Sequence, residues 1–125
     1  MVRLATAALV ILVLVAGALV LRESDAPAPA RARDGRVTIV MKDFRYVPQV
    51  IRARAGRLTI ALRNEGRVGH GLRIRKGERF WVEQPTLLPG ERAVVTRRFE
   101  PGRYKMFDAL SNYEELGMYG TLIVR

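Results

Sequence analysis

The sequence contains no cysteine. This absence excludes disulfide bonds, a lipid-modified cysteine, zinc–thiolate sites and any metal centre that depends on a thiolate ligand. Histidine is nearly as scarce, because His70 is the only one among 125 residues. Any imidazole chemistry in this chain must therefore use that single side chain.

Acidic residues are also few, with 12 Asp and Glu against 22 Lys and Arg. Residues 36–125 carry a formal charge of +9, from 18 basic and nine acidic side chains. Such a charge suits an anionic partner outside the cell, such as lipid headgroups, wall polymers or an acidic protein. The arginines are spread over almost every segment, which favours a solvated surface instead. Aromatic residues do not alternate with them in a stacking pattern, so we expect no nucleic-acid partner.

An uncharged run of eighteen residues, 4–21, lies near the N-terminus and follows Arg3. As a helix it would be about 27 Å long, close to the roughly 30 Å of a bilayer core. A signal-peptide core is shorter, at roughly 7–15 residues. Residues 1–21 are therefore predicted to be a membrane anchor or a signal peptide, with the rest of the chain outside the cytoplasm. Two Ala-x-Ala patterns, at 16–18 and 28–30, leave cleavage and secretion open.

Residues 22–35 are rich in Pro and Ala and contain no large apolar side chain, which predicts a linker. Residues 36–125 then form one domain. No segment of this domain shows a sustained helical period.

Short β-branched or alternating runs, separated by Gly and Pro turns, predict an all-β fold: an antiparallel sandwich. Residues 76–90 are predicted to be a long connection between strands. In the strand Arg92–Phe99, alternation places Arg97 on the same inward face as Val95 and Phe99. The predicted strands are Val37–Met41, Val50–Arg54, Leu58–Arg63, Leu72–Arg75, Arg92–Phe99, Tyr104–Phe107 and Thr121–Val124.

Seven short motifs follow one another in a familiar order: Asp43–Pro48, Ala55–Gly56, Asn64–Gly66, Gly69–Leu72, Leu88–Glu91, Glu100–Tyr104 and Gly117–Gly120. In this order they resemble the cupredoxins, the blue-copper superfamily of plastocyanin and azurin. The resemblance implies a Greek-key β-sandwich. It also implies that four positions, His70, Asp108, Tyr113 and Met118, stand where the family carries its copper ligands, His, Cys, His and Met.

Two of these four positions hold residues that do not suit blue copper. Asp108 replaces the thiolate with a hard oxygen donor, and Tyr113 replaces an imidazole with a phenol whose ordinary pKa is near 10. We therefore expect an extracytoplasmic binding or structural module without a blue-copper site and without a cofactor. The alternative is a copper(II) or other metal site that uses His70, Asp108 and Met118. Against both stands the simpler interpretation that these side chains serve packing and turn hydrogen bonds.

A third constellation concerns catalysis. In this fold His70, Asp108 and Ser111 would lie near each other, as a Ser-His-Asp triad requires. The sequence offers no strained nucleophile turn and no oxyanion hole, so we predict that the protein is not an enzyme.

Overall fold

A computed structural model describes residues 28–125, and the predicted N-terminal helix lies outside this range. Residues 28–125 contain no helix with the length and apolar character of a membrane span. The described chain forms β-strands joined by turns and loops. The strands are β1 (Ala30–Arg31), β2 (Arg36–Lys42), β3 (Arg45–Val47), β4 (Val50–Ala53), β5 (Gly56–Asn64), β6 (His70–Lys76), β7 (Arg79–Leu87), β8 (Arg92–Phe99), β9 (Gly102–Phe107) and β10 (Tyr119–Val124).

The strands form two sheets, one with the order β1-β4-β10-β9-β6-β7 and one with the order β3-β2-β5-β8. The predicted all-β sandwich is thereby confirmed. Its purely antiparallel character is not, because β4 pairs in parallel with both β1 and β10, and β2 pairs in parallel with β5. Parallel neighbours need a crossover between them, and here β3 and β4 provide the crossover from β2 to β5.

The core lies between the sheets and follows the alternation of the sequence. In β5, Leu58, Ile60 and Leu62 are buried, while the residues between them are partly exposed. Tyr104 is fully buried, and its ring meets the rings of Phe99 and Trp81 edge-on at 5.2 and 5.0 Å. Each large apolar side chain buried in this way stabilises the fold by roughly 1.5–3 kcal/mol.

Besides β3, which lies in the Asp43–Pro48 motif, two strands lie where the sequence predicts none. β7 occupies the predicted connection of residues 76–90 and forms the edge of the larger sheet, where Pro85 is tolerated because its missing N–H faces no partner. β1 lies within the predicted linker and pairs Ala30 with Ile51 through the backbone. Both strands depend on pairing with a neighbour, and neither has a strong hydrophobic alternation of its own.

Arg97 corrects the prediction for β8. Val95 and Phe99 are buried as expected, but Arg97 is exposed. β8 is an edge strand, so the long side chain leaves the inward face and reaches solvent, where its guanidinium donates to the carbonyl of Thr96 at 2.8 Å. The backbone of Arg97 keeps the alternation of the strand, but its side chain is not buried.

Strand direction gathers several loops at one end of the sandwich. β2, β5 and β9 end there and β6 begins there, because β9 runs antiparallel to β6. Asp43, His70 and Asp108 occupy these strand ends. The opposite end contains the turn at residues 33–35, the start of β5 and the ends of β4 and β10.

Candidate functional site

His70 opens β6 and is fully buried, with a carboxylate on either side of its ring. Its Nδ1 lies 3.1 Å from Oδ2 of Asp108. Its Nε2 lies 2.9 Å from Oδ1 of Asp43. Asp108 is itself buried, whereas the Asp43 side chain keeps 29% of its surface exposed. The three side chains form a hydrogen-bonded chain, hereafter the Asp–His–Asp array.

The array favours the ionised form of Asp43. The hydrogen bond from His70, together with one from the backbone N–H of Arg67, lowers the pKa of Asp43 below its ordinary value. Asp43 is therefore ionised at neutral pH and accepts the proton of Nε2–H. The contact between Nδ1 and Asp108 requires one further proton between the two atoms. Both ring nitrogens are thus engaged inside the protein.

Asp108 is positioned by the loop between β9 and β10. Its Oδ1 accepts the N–H of Leu110 at 3.0 Å, a turn of the kind that aspartate side chains commonly stabilise. Its backbone N–H donates to the carbonyl of Met118, also at 3.0 Å, which closes the base of the loop. The carboxylate has Oδ2 left to face His70.

Asp43 is positioned by the turn between β2 and β3. Both of its oxygens accept the N–H of Arg67 at 3.0 Å, which connects this turn to the loop before β6. The next residue, Phe44, adopts a left-handed conformation with φ of 65°, which is uncommon for a bulky side chain. Its ring meets those of His70 and Tyr113 edge-on, at 6.0 and 5.1 Å. The strained turn thus places both a carboxylate and an aromatic ring against the histidine.

The side chain of Asn64 holds the loop before His70 in place through hydrogen bonds. Its buried amide donates to the carbonyls of Val68 and Leu87 at 2.9 and 2.8 Å, and its oxygen accepts the N–H of Gly66. The side chain thereby bonds every polar atom that it brings into the interior, as a buried amide must. Its role in positioning His70 was not predicted, although a lone amide at the end of an alternating strand was a usable signal.

The structure brings the four predicted positions together. The ring of Tyr113 lies 5.4 Å from that of His70 and is partly buried. Met118 is fully buried, and its N–H donates to the carbonyl of Tyr113. Residues 64–72 and 108–118 are adjacent, as predicted. Asp43, which sequence reasoning did not single out as a site residue, is the addition that the structure makes.

The donor set does not fit a blue-copper ion. The chain has no thiolate, and a trigonal site needs one with two imidazoles. Nδ1 and Nε2 point away from each other, so Asp43, His70 and Asp108 do not converge on one point. Among residues 28–125, no cluster of three or more His, Cys, Asp or Glu side chains is arranged to hold a metal. A metal bound by His70 and Asp108 together would replace their hydrogen bond.

The Ser-His-Asp constellation considered and rejected from the sequence does not assemble around Ser111. The hydroxyl of Ser111 is exposed and lies 3.4 Å from the amide oxygen of Asn112. His70 uses both nitrogens for aspartates, so it has none left for a serine. In this geometry His70 cannot act as the base that activates Ser111.

Comparisons with known proteins agree with this architecture. A sequence model of the cupredoxin-like domain matches residues 7–124. Auracyanin from Roseiflexus castenholzii superposes with a TM-score of 0.70 at 16% identity, over 75% of this chain and 99% of auracyanin. Auracyanin A, a "blue" copper protein from Chloroflexus aurantiacus, gives 0.63 at 20% identity over 73% and 100%. A purple cupredoxin from Nitrosopumilus maritimus gives 0.55 at 18% identity over 71% and 99%.

A search of curated proteins found no match. At these low sequence identities, the structural similarities show only that the fold is shared. The sequence model, in contrast, covers nearly the whole chain. Its extent, together with the two-sheet order and the buried histidine at the loop end, confirms the resemblance, and the chain belongs to the cupredoxin-like domain family.

Proposed function

We propose that the protein is a copper-free cupredoxin-like module that works outside the cytoplasm by binding a partner, without electron transfer or catalysis. The Asp–His–Asp array is the observation that carries this proposal. His70 and Asp108 occupy two copper-ligand positions of the family, yet they hydrogen-bond directly to each other at 3.1 Å.

The array links the loops at this end of the sandwich, as a bound metal ion would. It joins the β2–β3 turn, the start of β6 and the β9–β10 loop through buried contacts. Hydrogen bonds to charged groups contribute about 1.5–3 kcal/mol each to stability. Removing one member of such a buried set leaves an uncompensated polar group and costs more. The loop end can thus remain ordered without a cofactor.

The uncharged run at residues 4–21 and Arg3 before it support the proposed location. In this proposal the run anchors the chain in the cell membrane, or directs secretion if it is cleaved, and the sandwich lies outside. The partners are then the membrane itself and a protein or anionic surface, with no role for nucleic acid.

Metal analysis tests the copper-free state. The full chain is purified in neutral detergent, incubated with Cu(II) or Zn(II), dialysed and analysed for bound metal and visible absorption. We expect far less than one equivalent of metal and no intense visible band. One equivalent retained by the wild type and lost in His70→Gln would contradict the proposal. Metal retained equally by His70→Gln would show a site elsewhere on the chain.

A mixed-ligand site for Cu(II) or another ion is the second candidate function. The proximity of His70, Asp108 and Met118 at one end of the sandwich supports it. Such a site requires Nδ1 of His70 to leave Asp108 and coordinate the ion. The retained equivalent described above is the result that would establish it.

A further inference from the structure

An open cleft of about 1080 Å³ lies at the end of the sandwich opposite His70. β5 runs from the cleft at Gly56 to Asn64 beside the Asp–His–Asp array, which separates the two ends by roughly 26 Å at about 3.3 Å per residue. One acidic side chain, Asp34, is among the residues that line the cleft. Its basic residues, hereafter the arginine cleft, are Arg31, Arg33, Arg52, Arg54, Arg57 and Arg125.

The fold assembles these arginines from distant parts of the chain. β1, β4 and β10 are parallel neighbours, so their C-terminal ends meet at one end of the sheet. The N-terminal start of β5 lies beside them: the N–H of Ala55 donates to the carbonyl of Arg125, and the N–H of Thr59 donates to that of Gly35, both at 2.8 Å. The cleft is therefore built on paired backbone rather than on a free loop.

The arginines of the arginine cleft have no acidic partner within the described structure. Within residues 28–125, none of the six guanidinium groups forms a salt bridge with a carboxylate. Five of the six residues are exposed and Arg52 is partly exposed. Like charges gathered in one place repel each other and work against folding. A cluster of this kind offers a surface that attracts anions.

We propose that the arginine cleft binds the phosphate groups of anionic phospholipids at the membrane surface. Guanidinium groups suit phosphate because their planar N–H donors match two oxygens at once. The volume of about 1080 Å³ leaves room for more than one headgroup, and the apolar lining residues Leu58 and Ile123 offer contact for a glycerol backbone.

The position of the cleft favours a lipid headgroup over a free phosphate as the ligand. This step rests on the proposed membrane anchor. Arg31 lies ten positions after Leu21, so the cleft cannot lie more than roughly 35 Å from the end of the anchor. Basic residues within a Debye length, about 10 Å, of an anionic bilayer are attracted to it. Binding would set the sandwich with its arginine cleft on the membrane and its His70 end outward.

The test measures the accessibility of single arginines in the full chain. The protein is incorporated in nanodiscs of phosphatidylcholine alone or of phosphatidylcholine mixed equally with phosphatidylglycerol. An arginine-specific reagent, phenylglyoxal, is added, and the modification rate of each arginine is read by peptide mass spectrometry. Arg45 and Arg92, exposed at the other end of the sandwich, are matched controls in the same molecule.

We expect Arg54 and Arg57 to react about fivefold more slowly in the anionic discs, the factor expected for one basic residue at an anionic surface. Arg45 and Arg92 should keep their rates. The double variant Arg31→Gln with Arg33→Gln should weaken the protection of Arg54, and high salt should abolish it. Equal rates in both discs, or equal protection of Arg45 and Arg92, would overturn the proposal. Protection by inorganic pyrophosphate in neutral discs, without protection by phosphatidylglycerol, would overturn the lipid source.

Failure of the anchor is a separate outcome. A chain that does not enter nanodiscs contradicts the proposed membrane location. The same labelling is then done with the chain in solution and vesicles of the two compositions. Slower labelling of Arg54 and Arg57 with anionic vesicles alone still supports the cleft, and unchanged labelling overturns it.

Discussion

At one end of the sandwich a histidine is fully buried between two carboxylates, and at the other end six arginines line an open cleft. At the first end, both ring nitrogens of His70 contact carboxylate oxygens. The second gathers six arginines and one acidic side chain, Asp34, and within residues 28–125 none of them forms a salt bridge. A buried charged pair is costly to break, because removing one partner destabilises the fold. Exposed charges add little stability, but they can attract a ligand of opposite charge. We infer that the His70 end maintains the loops and that the arginine cleft meets a ligand.

Removing His70 should have the largest effect. His70→Ala leaves the buried carboxylate of Asp108 without its partner and opens a cavity beside Phe44. We expect a loss of about 3–5 kcal/mol in the free energy of unfolding, the usual result of removing one partner from a buried charged set. Urea unfolding of the full chain in detergent, followed by Trp81 fluorescence, measures it. A loss below about 1 kcal/mol, typical of an ordinary surface substitution, would remove the structural role given to the array.

Asp43 should make stability depend on acid pH. Its pKa is lowered in the folded state, first by the hydrogen bond from His70 and then by the N–H of Arg67. Its contribution is therefore complete above the unfolded pKa of about 3.9 and declines as the pH falls through the lower folded value. The free energies of unfolding of wild type and Asp43→Asn should differ most near neutral pH and converge only as the pH falls through the lowered folded-state pKa of Asp43. A difference that does not change with pH would show that Asp43 acts only through its shape.

Removing like charges from the arginine cleft should increase the stability of the fold, in contrast to the changes at the His70 end. Arg54→Gln with Arg57→Gln removes two of the like charges and no described hydrogen bond. At low salt we expect a small gain in the free energy of unfolding, of about 0.5 kcal/mol or less. Arg45→Gln with Arg92→Gln is the control with the same loss of charge. A clear loss of stability in the cleft variant alone would mean that these arginines support the fold.

Arg97 should have the smallest effect of all. The side chain is exposed at the edge of β8 although its backbone lies in phase with Val95 and Phe99. Arg97→Ala is expected to change the free energy of unfolding by no more than about 0.5 kcal/mol, as for other exposed residues. A larger loss in urea unfolding would show that the stem of Arg97 covers the core.

Much of the fold was predictable because its strands bury one face. The alternation in Leu58–Arg63 and the bounds of Arg92–Phe99 follow from local sequence. The strands β1 and β7 escaped prediction because each is an edge that exists through pairing with a neighbour. The alternation also placed Arg97 on the correct face without showing that a long side chain leaves it.

The site was predictable only through the family resemblance. That resemblance placed His70, Asp108, Tyr113 and Met118 at one end, and their proximity is confirmed. It did not indicate Asp43 as a partner, because the contact with His70 joins residues 27 apart across a turn. The arginine cleft was missed for a similar reason: its members are scattered in sequence and meet only through parallel strand ends.

The central claim is that a hydrogen bond between His70 and Asp108 occupies the place of a copper centre whose loop frame persists. Restoring the ligands tests it most directly. In the double variant Asp108→Cys with Tyr113→His, a thiolate and an imidazole would join His70 and Met118. Visible absorption after addition of Cu(II) is the measurement, with Asp108→Cys alone and wild type as controls. We predict an intense band in the double variant, a weaker or altered one in the single variant and none in wild type. A double variant that folds, takes up no copper and stays colourless would contradict the claim.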